Sequence, residues 1–411
     1  MLTDTEIEGI VARSLASLDL AGKRVLVLVP DQTRTMRMPL FFRAICEQLA
    51  GRAARLDFMV ALGTHPPLDE ADMLELFGLT PEERAGTYGA VGLLNHAWKD
   101  PAALVELGTI PADEVATISG GLLSVDVPVR LNRAVLDYDE LLVCGPVFPH
   151  EVVGFSGGNK YFVPGIAGPE IIDITHWLGA LITCYAIIGT IDTPVRRLID
   201  RAAAMIPTPR HAFCCVISKA GIHGLFFGTP EAAQREAAAL SAKVHVRYMP
   251  HPYKRVLAVL PEMYDEIWVG AKGMYKLEPV VADGGELIIY APHIREFSVT
   301  HGAVIRQVGF HVRDYFALQW ERFRHLPWGV LAHSTHVRGA GTYDPVTGIE
   351  RPRIQVTLAT GIPEEECRAV GLGYMDPASI DVAAWTASDD PDLLVVPYAG
   401  EVLHRLEGYS G

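Results

Sequence analysis

The sequence lacks the features that mark secreted, membrane-bound and nucleic-acid-binding proteins. Its six cysteines show no CxxC spacing and are too few for a disulfide framework, so they predict reduced thiols in the core. Lys and Arg number 35 against 49 Asp and Glu, and the net charge of -14 argues against a nucleic-acid partner. No uncharged apolar run reaches the roughly 18 residues that span a bilayer, and no signal-peptide pattern opens the chain. We therefore expect a soluble, cytoplasmic protein with no membrane partner.

What is present is an alternation of amphipathic helices and apolar strands. Thr3 and Glu6 have the spacing of a capping box and predict a helix over 4–18. Arg24 to Pro30 then reads as a buried strand of a parallel sheet. The same alternation continues along the chain, so the fold class is α/β with mostly parallel sheets.

The length of 411 residues exceeds one ordinary core and predicts two domains. A break at 248–254 precedes a second set of α/β signals. We place an N-terminal domain at 1–250 and a C-terminal domain at 251–411, with the last residues packing back on the first domain. The second set comprises a helix ending at 283–285 and strands at 255–261, 286–290, 328–333, 353–358 and 393–398.

Three polar residues follow predicted strands directly. Arg34 follows the strand at 24–30, His65 follows one at 57–63, and His150 follows one at 140–145. Because the carboxyl ends of parallel strands converge at one edge of a sheet, these side chains can line one cleft. Each histidine taken alone is also typical of a hydrogen-bonded loop residue, whereas the planar fork of Arg34 is suited to a carboxylate.

A glycine-rich loop follows His150. Ser156, Gly157 and Gly158 have the pattern of an anion-binding nest, and Lys160 is placed to contact an anion or to attach a cofactor covalently. The alternatives are a connector that needs positive φ angles and an ordinary surface lysine. A Walker A loop is unlike this segment, because Asn159 replaces the required glycine and Tyr161 the magnesium-binding Ser or Thr.

Further candidates flank this loop. The pair His150-Glu151 lacks the second histidine of the HExxH motif, which argues against a zinc protease. Asp173 precedes His176 by three residues, so it either orients that imidazole or is an acidic residue near a helix N-terminus. Lys272 either adds a positive charge to the site or is a solvated helix end.

Together these residues resemble the lactate racemase family, whose members use a nickel-pincer nucleotide. The strongest match runs from His150 through Lys160 to His176, with the family's separations of ten and sixteen residues. The weaker matches are Asp31-x-Thr33-Arg34, Gly63-Thr64-His65 and Lys272-Gly273.

The resemblance implies a fold of two α/β domains flanking a cofactor cleft, and it implies a role for each matching residue. Lys160 would be joined through a thioamide to a pyridinium mononucleotide that binds nickel, and His176 would be the protein's nickel ligand. His65 and His150 would be the acid-base residues. Cofactor-biosynthesis proteins would load the chain. The remaining assignments are carboxylate binding by Arg34 and Lys272, and cofactor binding by Asp31, Thr33, Ser156, Gly157 and Gly158.

The implied activity is racemisation or epimerisation at C2 of a 2-hydroxy acid by reversible hydride transfer, which makes the protein a nickel-dependent isomerase. Lactate racemases carry glutamine where this chain has Val269, and Asn159, Tyr161 and Trp177 also alter bulk or polarity. These departures favour another 2-hydroxy acid, longer or with an apolar tail. The residues alone leave two alternatives, a zinc-dependent hydrolase or lyase and a non-catalytic nucleotide- or phosphate-binding protein, and they specify no oligomeric state.

Overall fold

A computed structural model describes residues 1–408 of the chain. Strands and helices alternate along most of it, as the sequence predicts. The strands are β1 (Arg24–Val29), β2 (Arg55–Val60), β3 (Gly92–Asn95), β4 (Leu104–Ile110), β5 (Val127–Asn132), β6 (Glu140–Pro146), β7 (Pro149–His150), β8 (Gly154–Phe155), β9 (Arg210–Ser218), β10 (Gly221–Gly228), β11 (Val246–Met249), β12 (Tyr253–Val259), β13 (Val281–Ala291), β14 (Gly341–Asp344), β15 (Ile349–Pro352), β16 (Gln355–Thr360), β17 (Gly373–Tyr374), β18 (Leu393–Pro397) and β19 (Leu403–Leu406).

The helices range from single turns to four turns. They are α1 (Asp4–Ala16), α2 (Met38–Leu49), α3 (Glu70–Phe77), α4 (Pro81–Ala85), α5 (Ala112–Ser119), α6 (Ala134–Asp137), α7 (Pro169–Ile182), α8 (Cys184–Ile187), α9 (Pro194–Ala203), α10 (Pro230–His245), α11 (Ile267–Gly270), α12 (Lys272–Tyr275), α13 (Gly302–Val308), α14 (Arg313–Ala317), α15 (Trp320–Phe323), α16 (Trp328–Arg338), α17 (Glu364–Ala369) and α18 (Val382–Thr386).

The chain forms two compact units. The first contains residues 1–148, 156–172 and 196–244, and the second contains 149–155, 173–195 and the chain from 245 onward. The second unit therefore takes two short segments from the part of the chain that the sequence analysis assigns to the N-terminal domain. The division at residue 250 stays a prediction of where separately folding domains meet.

The first unit is built on a six-stranded sheet in the order β10-β9-β6-β1-β2-β3, in which all neighbours are parallel except β9 and β10. Every residue of β6, and every residue of β1 after Arg24, is buried, which explains their continuous apolar sequence. Helix α1 begins with the predicted capping box between Thr3 and Glu6. Since β1 is adjacent to β2 and β6, the loops after these strands begin side by side.

The second unit is built on a five-stranded, wholly parallel sheet in the order β17-β16-β13-β12-β18. The terminal strand β19 pairs in parallel with β11, within the same unit. The sequence predicts that the last residues of the chain pack back on the first domain, and three of these residues, 409–411, lie outside the described residues. The α/β class with mostly parallel sheets is confirmed.

Two sequence-based element predictions are wrong. Residues 283–285 do not end a helix, because they lie inside the long strand β13. Residues 328–333 form not a strand but the first half of helix α16, which begins after Pro327 and is buried along almost its whole length. A short apolar run fits a strand and a fully buried helix equally well, because neither has a polar face.

Other expectations concern burial. All six cysteines are buried free thiols, as the sequence predicts. Among residues 1–408, no helix combines the length and apolar character needed to cross a membrane.

Candidate active site

In the first unit, Asp31 and His65 form an ion pair at the carboxyl ends of β1 and β2. The Asp31 Oδ2 atom lies 2.5 Å from His65 Nδ1. The other carboxylate oxygen accepts hydrogen bonds from the Thr33 hydroxyl at 2.6 Å and from the Thr33 main-chain N–H at 3.1 Å. The Arg34 guanidinium donates to the Thr33 hydroxyl oxygen at 2.7 Å. Three of the residues predicted from Asp-x-Thr-Arg and one from Gly-Thr-His therefore form one hydrogen-bonded group.

The Asp31 carboxylate sets the chemistry of the His65 ring. Burial raises the pKa of Asp31, but the nearby charges of His65 and Arg34, with hydrogen bonds from His65 and Thr33, outweigh burial and lower the pKa below its ordinary range. An ionised carboxylate at Nδ1 accepts the proton of that nitrogen. When His65 is neutral, its remaining proton is on Nδ1 and its lone pair on Nε2, which is the form that acts as a general base.

The loop that carries Lys160 is attached to the His65 loop. The main-chain N–H of Gly63 donates to the carbonyl of Gly165 at 2.9 Å, and the N–H of Gly165 donates to the carbonyl of Lys160 at 3.1 Å. Lys160 itself is half-buried within a single 3₁₀ turn, Gly158–Tyr161. Main-chain hydrogen bonds therefore fix the lysine loop and the histidine loop relative to each other.

The glycines of the lysine loop are required by its backbone and by close packing. Gly157 and Gly158 have φ angles of 84° and 59°, in the left-handed region. A Cβ atom at Gly157 would lie 2.5 Å from the Val147 side chain, and one at Gly158 would lie 2.7 Å from the Pro230 carbonyl oxygen. Any larger residue at either position would displace the loop.

The main-chain donors of the predicted anion nest are directed at protein acceptors. The N–H of Ser156 donates to the Phe148 carbonyl at 2.9 Å, and the Ser156 hydroxyl donates to the Pro146 carbonyl. The N–H of Gly158 hydrogen-bonds the Cys214 thiol. The N–H groups of Ser156 and Gly158 thus have acceptors within the protein, and the cofactor-binding role of Ser156, Gly157 and Gly158 stays a prediction.

Asn159 and Tyr161, two of the departures from the family pattern, have side chains that pack inside the first unit. The Asn159 amide is fully buried and donates to Asp200 at 3.0 Å and to Glu231 at 2.6 Å. The Tyr161 ring is buried so close to Gly145 that a Cβ atom at that glycine would overlap its hydroxyl. Both side chains therefore stabilise the lysine loop through contacts inside the first unit.

In the second unit, His150 is the last residue of the short strand β7, which pairs antiparallel with the short strand β8. The Val152 main-chain N–H donates to His150 Nδ1 at 3.1 Å, which fits a neutral ring with its proton on Nε2. The Glu151 carboxylate lies 3.3 Å from the same nitrogen, which fits a doubly protonated ring. Both charge states of His150 therefore have a partner, as an acid-base residue requires.

His176 lies on α7, one turn after Asp173. The Asp173 carboxylate accepts the Gly329 main-chain N–H at 2.9 Å and so connects α7 to the start of α16. The next residue, Trp177, stacks on Trp320 with ring centroids 4.8 Å apart. Asp173 and Trp177 thus anchor the helix on both sides of the predicted nickel ligand.

The predicted substrate lysine, Lys272, is the first residue of α12. Its ammonium lies 4.5 Å from the centroid of the Tyr264 ring, a cation–π contact that holds the side chain in one orientation. Val269, which replaces the family's glutamine, is buried in α11. The predicted site residues therefore divide between the units, with His150, His176 and Lys272 in the second.

Sequence reasoning missed two histidines of helix α16. His333 and His336 are buried, and both are close enough to His176 for its charge to influence their pKa values. His336 is also influenced by Glu151, so it neighbours both predicted histidine segments of the second unit. The signal for these residues was a His-x-x-His spacing on an apolar helix, which the incorrect strand prediction concealed.

The donor set can be tested against a nickel-pincer nucleotide. Within residues 1–408, no three His, Cys, Asp or Glu side chains form a group that could hold a metal ion by themselves. A single imidazole such as His176 is a ligand type that nickel accepts, and the half-buried amine of Lys160 is suited to covalent attachment. The residues therefore fit a metal whose other ligands come from an attached cofactor.

Comparison with known proteins gives consistent results. Residues 7–185 match the family description "Lactate racemase N-terminal domain". The lactate racemase of Thermoanaerobacterium thermosaccharolyticum is 24% identical over 285 residues, which are 68% of this chain and 62% of that protein. The lactate racemase of Lactiplantibacillus plantarum is 27% identical over 161 residues, 38% of this chain and 33% of that one. The aligned part thus spans less than two thirds of either enzyme.

Solved structures extend the likeness to the whole fold. The crystal structure of a Thermotoga maritima protein has a TM-score of 0.91 and 35% identity, covering 99% of both chains. The lactate racemase apoprotein of T. thermosaccharolyticum has a TM-score of 0.73 and 19% identity, covering 97% of this chain and 92% of its own. Residues 7–185 therefore belong to the lactate racemase N-terminal domain family, and the solved structures show that the whole chain shares the fold of the lactate racemase apoprotein.

Proposed function

We propose that the protein is a racemase or epimerase that inverts C2 of a 2-hydroxy acid with the help of a nickel-pincer nucleotide. The observation that carries the proposal is the Asp31–His65 pair, a carboxylate-oriented imidazole held against the lysine-bearing loop by the Gly63 to Gly165 hydrogen bond. The match of residues 7–185 to the lactate racemase N-terminal domain supports the reaction class.

In this proposal Lys160 attaches the cofactor and His176 is the protein's nickel ligand. The short 3₁₀ turn and the packed glycines support the first role, because they restrict where the Lys160 amine can reach. The anchoring of α7 by Asp173 and Trp177 supports the second, because a nickel ligand must be held in one orientation. Loading requires separate cofactor-biosynthesis proteins.

The reaction needs a base for the hydroxyl proton. The C2–H bond of a 2-hydroxy acid is weakly acidic, so removal of its hydrogen as hydride, coupled to loss of the hydroxyl proton, is the easier route. When bound, the nickel-pincer nucleotide supplies reversible hydride transfer. His65 accepts the hydroxyl proton at Nε2, and Asp31 stabilises the resulting imidazolium.

In this proposal the second histidine, His150, donates the proton when the 2-hydroxy acid is formed again. The substrate becomes a 2-keto acid, planar at C2, once it has lost a hydride from C2 and a proton from the hydroxyl group. The other enantiomer forms when the hydride returns to the opposite face of C2 and His150 gives a proton to the carbonyl oxygen. The contacts of His150 Nδ1 with Val152 and Glu151 support this role, since one stabilises the neutral ring and the other the charged ring. Arg34 and Lys272 bind the substrate carboxylate, and their orientations are limited by Thr33 and Tyr264.

The experiment is to express the chain together with the cofactor-biosynthesis proteins and to measure intact mass, peptide mass and nickel content. We expect an added nucleotide mass on the Lys160 peptide and nickel in the same preparation. Lys160→Ala should lose both, whereas Lys243→Ala, at an exposed lysine, should keep both. Absence of nucleotide and nickel from the wild type, or zinc-restored turnover in Lys160→Ala, would contradict the proposal.

Activity is tested with single enantiomers of a panel of 2-hydroxy acids, followed by chiral chromatography. A substrate deuterated at C2 should racemise with a primary isotope effect and with most of the label retained. Rapid loss of the label to solvent would show proton abstraction at C2 instead of hydride transfer.

A further inference from the structure

Helix α16 carries two buried imidazoles whose outer nitrogens have no hydrogen-bond partner in the described part of the chain. His333 and His336 are 7% and 3% exposed. The Nε2 atoms of both rings are buried and unpartnered. Residues three apart on a helix lie on the same face, so the two rings are neighbours. Leaving a buried polar atom unpaired is unfavourable, so two such atoms on neighbouring rings indicate a ligand.

The surroundings place this pair beside the proposed nickel ligand, within the second unit. His176 is close enough to influence the ionisation of both rings, and His301 influences that of His333. The ring of Trp268 contacts both His301 and His333, with centroids 4.4 Å and 4.2 Å away. The two unpartnered imidazole nitrogens therefore belong to a group of aromatic side chains near His176.

Burial favours the neutral form of both rings. Burial lowers the pKa of His333 well below its ordinary value, and the nearby imidazoles of His336, His301 and His176 lower it further. Burial also lowers the pKa of His336, to about 4, although the Glu151 carboxylate raises it. A neutral imidazole has one donor nitrogen and one acceptor nitrogen. Each Nε2 atom is therefore suited to a polar, uncharged hydrogen-bond partner.

We infer that His333 and His336 recognise a hydroxyl group beyond C2, which makes the substrate a 2-hydroxy acid with at least one further hydroxyl. This inference rests on the proposed function, because it takes His176 as the position of the chemistry. A hydroxyl group both donates and accepts, so it satisfies Nε2 in either tautomer. An alkyl tail would leave both nitrogens unpaired, and a second carboxylate would meet neutral rings and the negative charge of Glu151.

The test compares substrates that differ by one hydroxyl. The pairs are lactate with glycerate, and 2-hydroxybutyrate with 2,4-dihydroxybutyrate, and malate supplies the case of a second carboxylate. With loaded enzyme, we expect at least one hydroxylated member to exceed its partner in kcat/KM by about tenfold or more, and calorimetry to show the same order of affinity. Equal or better use of the unhydroxylated members, or preference for malate, would overturn the inference.

Variants identify the residues responsible. His333→Phe keeps a ring against Trp268, His336→Phe keeps one near Tyr275, and both should abolish the preference. His333→Gln and His336→Gln keep a side-chain amide and should retain much of it. His404→Phe is the matched control, since His404 is a buried histidine of the same unit whose Nδ1 pairs with the Val402 carbonyl. That variant should keep the preference of the wild type.

The outcomes separate this inference from the proposed function. Loss of nickel and nucleotide in both phenylalanine variants would show that the two histidines bind the cofactor, and would overturn their role in substrate choice. Racemisation of lactate without any preference for glycerate or 2,4-dihydroxybutyrate would refute this inference alone. A loaded wild type that racemises no 2-hydroxy acid would refute the proposed function.

Discussion

The Asp31 carboxylate lies 2.5 Å from His65 Nδ1 and fixes which nitrogen of the imidazole carries the proton. The two residues are 34 positions apart in the sequence and meet because β1 and β2 are adjacent, parallel strands. The sequence analysis assigned Asp31 to the cofactor, a role that stays a prediction. Its observed contacts are with the proposed base and with Thr33.

Asp31→Asn should lower kcat while leaving cofactor loading intact. The asparagine amide can donate to His65 Nδ1 and so favours the tautomer that cannot accept a proton at Nε2. We expect a fall of about 10²–10⁴-fold, the usual contribution of a positioned general base. Asp57→Asn, at another buried carboxylate of the same sheet, controls for the general effect of neutralising such a group. An Asp31→Asn enzyme with wild-type kcat would refute the orienting role.

The same ion pair predicts a pH dependence of stability. Because the folded-state pKa of Asp31 is lowered, its stabilising contribution is complete above the unfolded-state pKa of about 3.9 and is lost as pH falls through the folded-state pKa. The wild type should therefore unfold at a higher temperature than Asp31→Asn at pH 6, and the difference should shrink below about pH 4. A gap that widens on acidification would contradict this sign.

Glu151→Gln should shift the pH profile of racemisation. The Glu151 carboxylate favours the protonated form of His150, so its removal should move the limb of kcat/KM that reports His150 to lower pH, by about one unit. Glu366→Gln removes a carboxylate that pairs with Arg306 on the surface and is the control. An unchanged limb in Glu151→Gln would mean that the Glu151 contact does not govern His150 during turnover.

Asn159→Asp should destabilise the first unit. The substitution replaces a donor between Asp200 and Glu231 with a third carboxylate, and we expect a loss of about 1–3 kcal/mol in the free energy of unfolding, measured with urea. Combining it with Asp200→Asn restores an amide–carboxylate pair and should recover most of the loss. If the double variant is as unstable as the sum of the two single variants, the hydrogen-bond explanation fails.

Gly158→Ala should prevent normal loading of Lys160. The new Cβ atom would combine a left-handed backbone with contacts of 2.7 Å to the Pro230 carbonyl and the Gln234 side chain. Gly284→Ala is the matched control, since Gly284 has a φ of 75° but no atom within 4 Å of a Cβ. We expect lower nucleotide occupancy by intact mass only in Gly158→Ala. Equal occupancy in both variants would show that the packing of this loop is not needed for attachment.

The sequence predicts much of the first unit because its signals are local. The run from Arg24 to Val29 is apolar throughout and becomes a buried strand, and the spacing of Thr3 and Glu6 becomes a capping box. The contact of Asp31 with His65 forms because β1 and β2 are neighbours in the sheet. The alternation of helices and strands predicts a parallel sheet but does not specify the order of its strands. The motifs identified the candidate residues other than His333 and His336, whereas the hydrogen-bond partners of those residues are seen only in the structure.

The second unit was less predictable, for a physical reason. Helix α16 is buried on nearly all sides, so it has no polar face whose period could distinguish it from a strand. The contact of His333 with Trp268, and the electrostatic influence of His176 on His333, involve segments far apart in the sequence, which the local sequence pattern cannot bring together. The donors of Ser156 and Gly158 likewise look suited to an anion in sequence, but their acceptors are Phe148 and Cys214.

The contacts of the Trp268 ring with His301 and His333 give the protein a fluorescent reporter of its own. Indole emission is sensitive to the polarity and hydration of its immediate neighbours, and this ring lies against one of the two unpaired imidazoles. The difference in fluorescence between the wild type and Trp268→Phe isolates that signal from the other five tryptophans. Binding of a hydroxy acid can then be measured by fluorescence titration, independently of turnover.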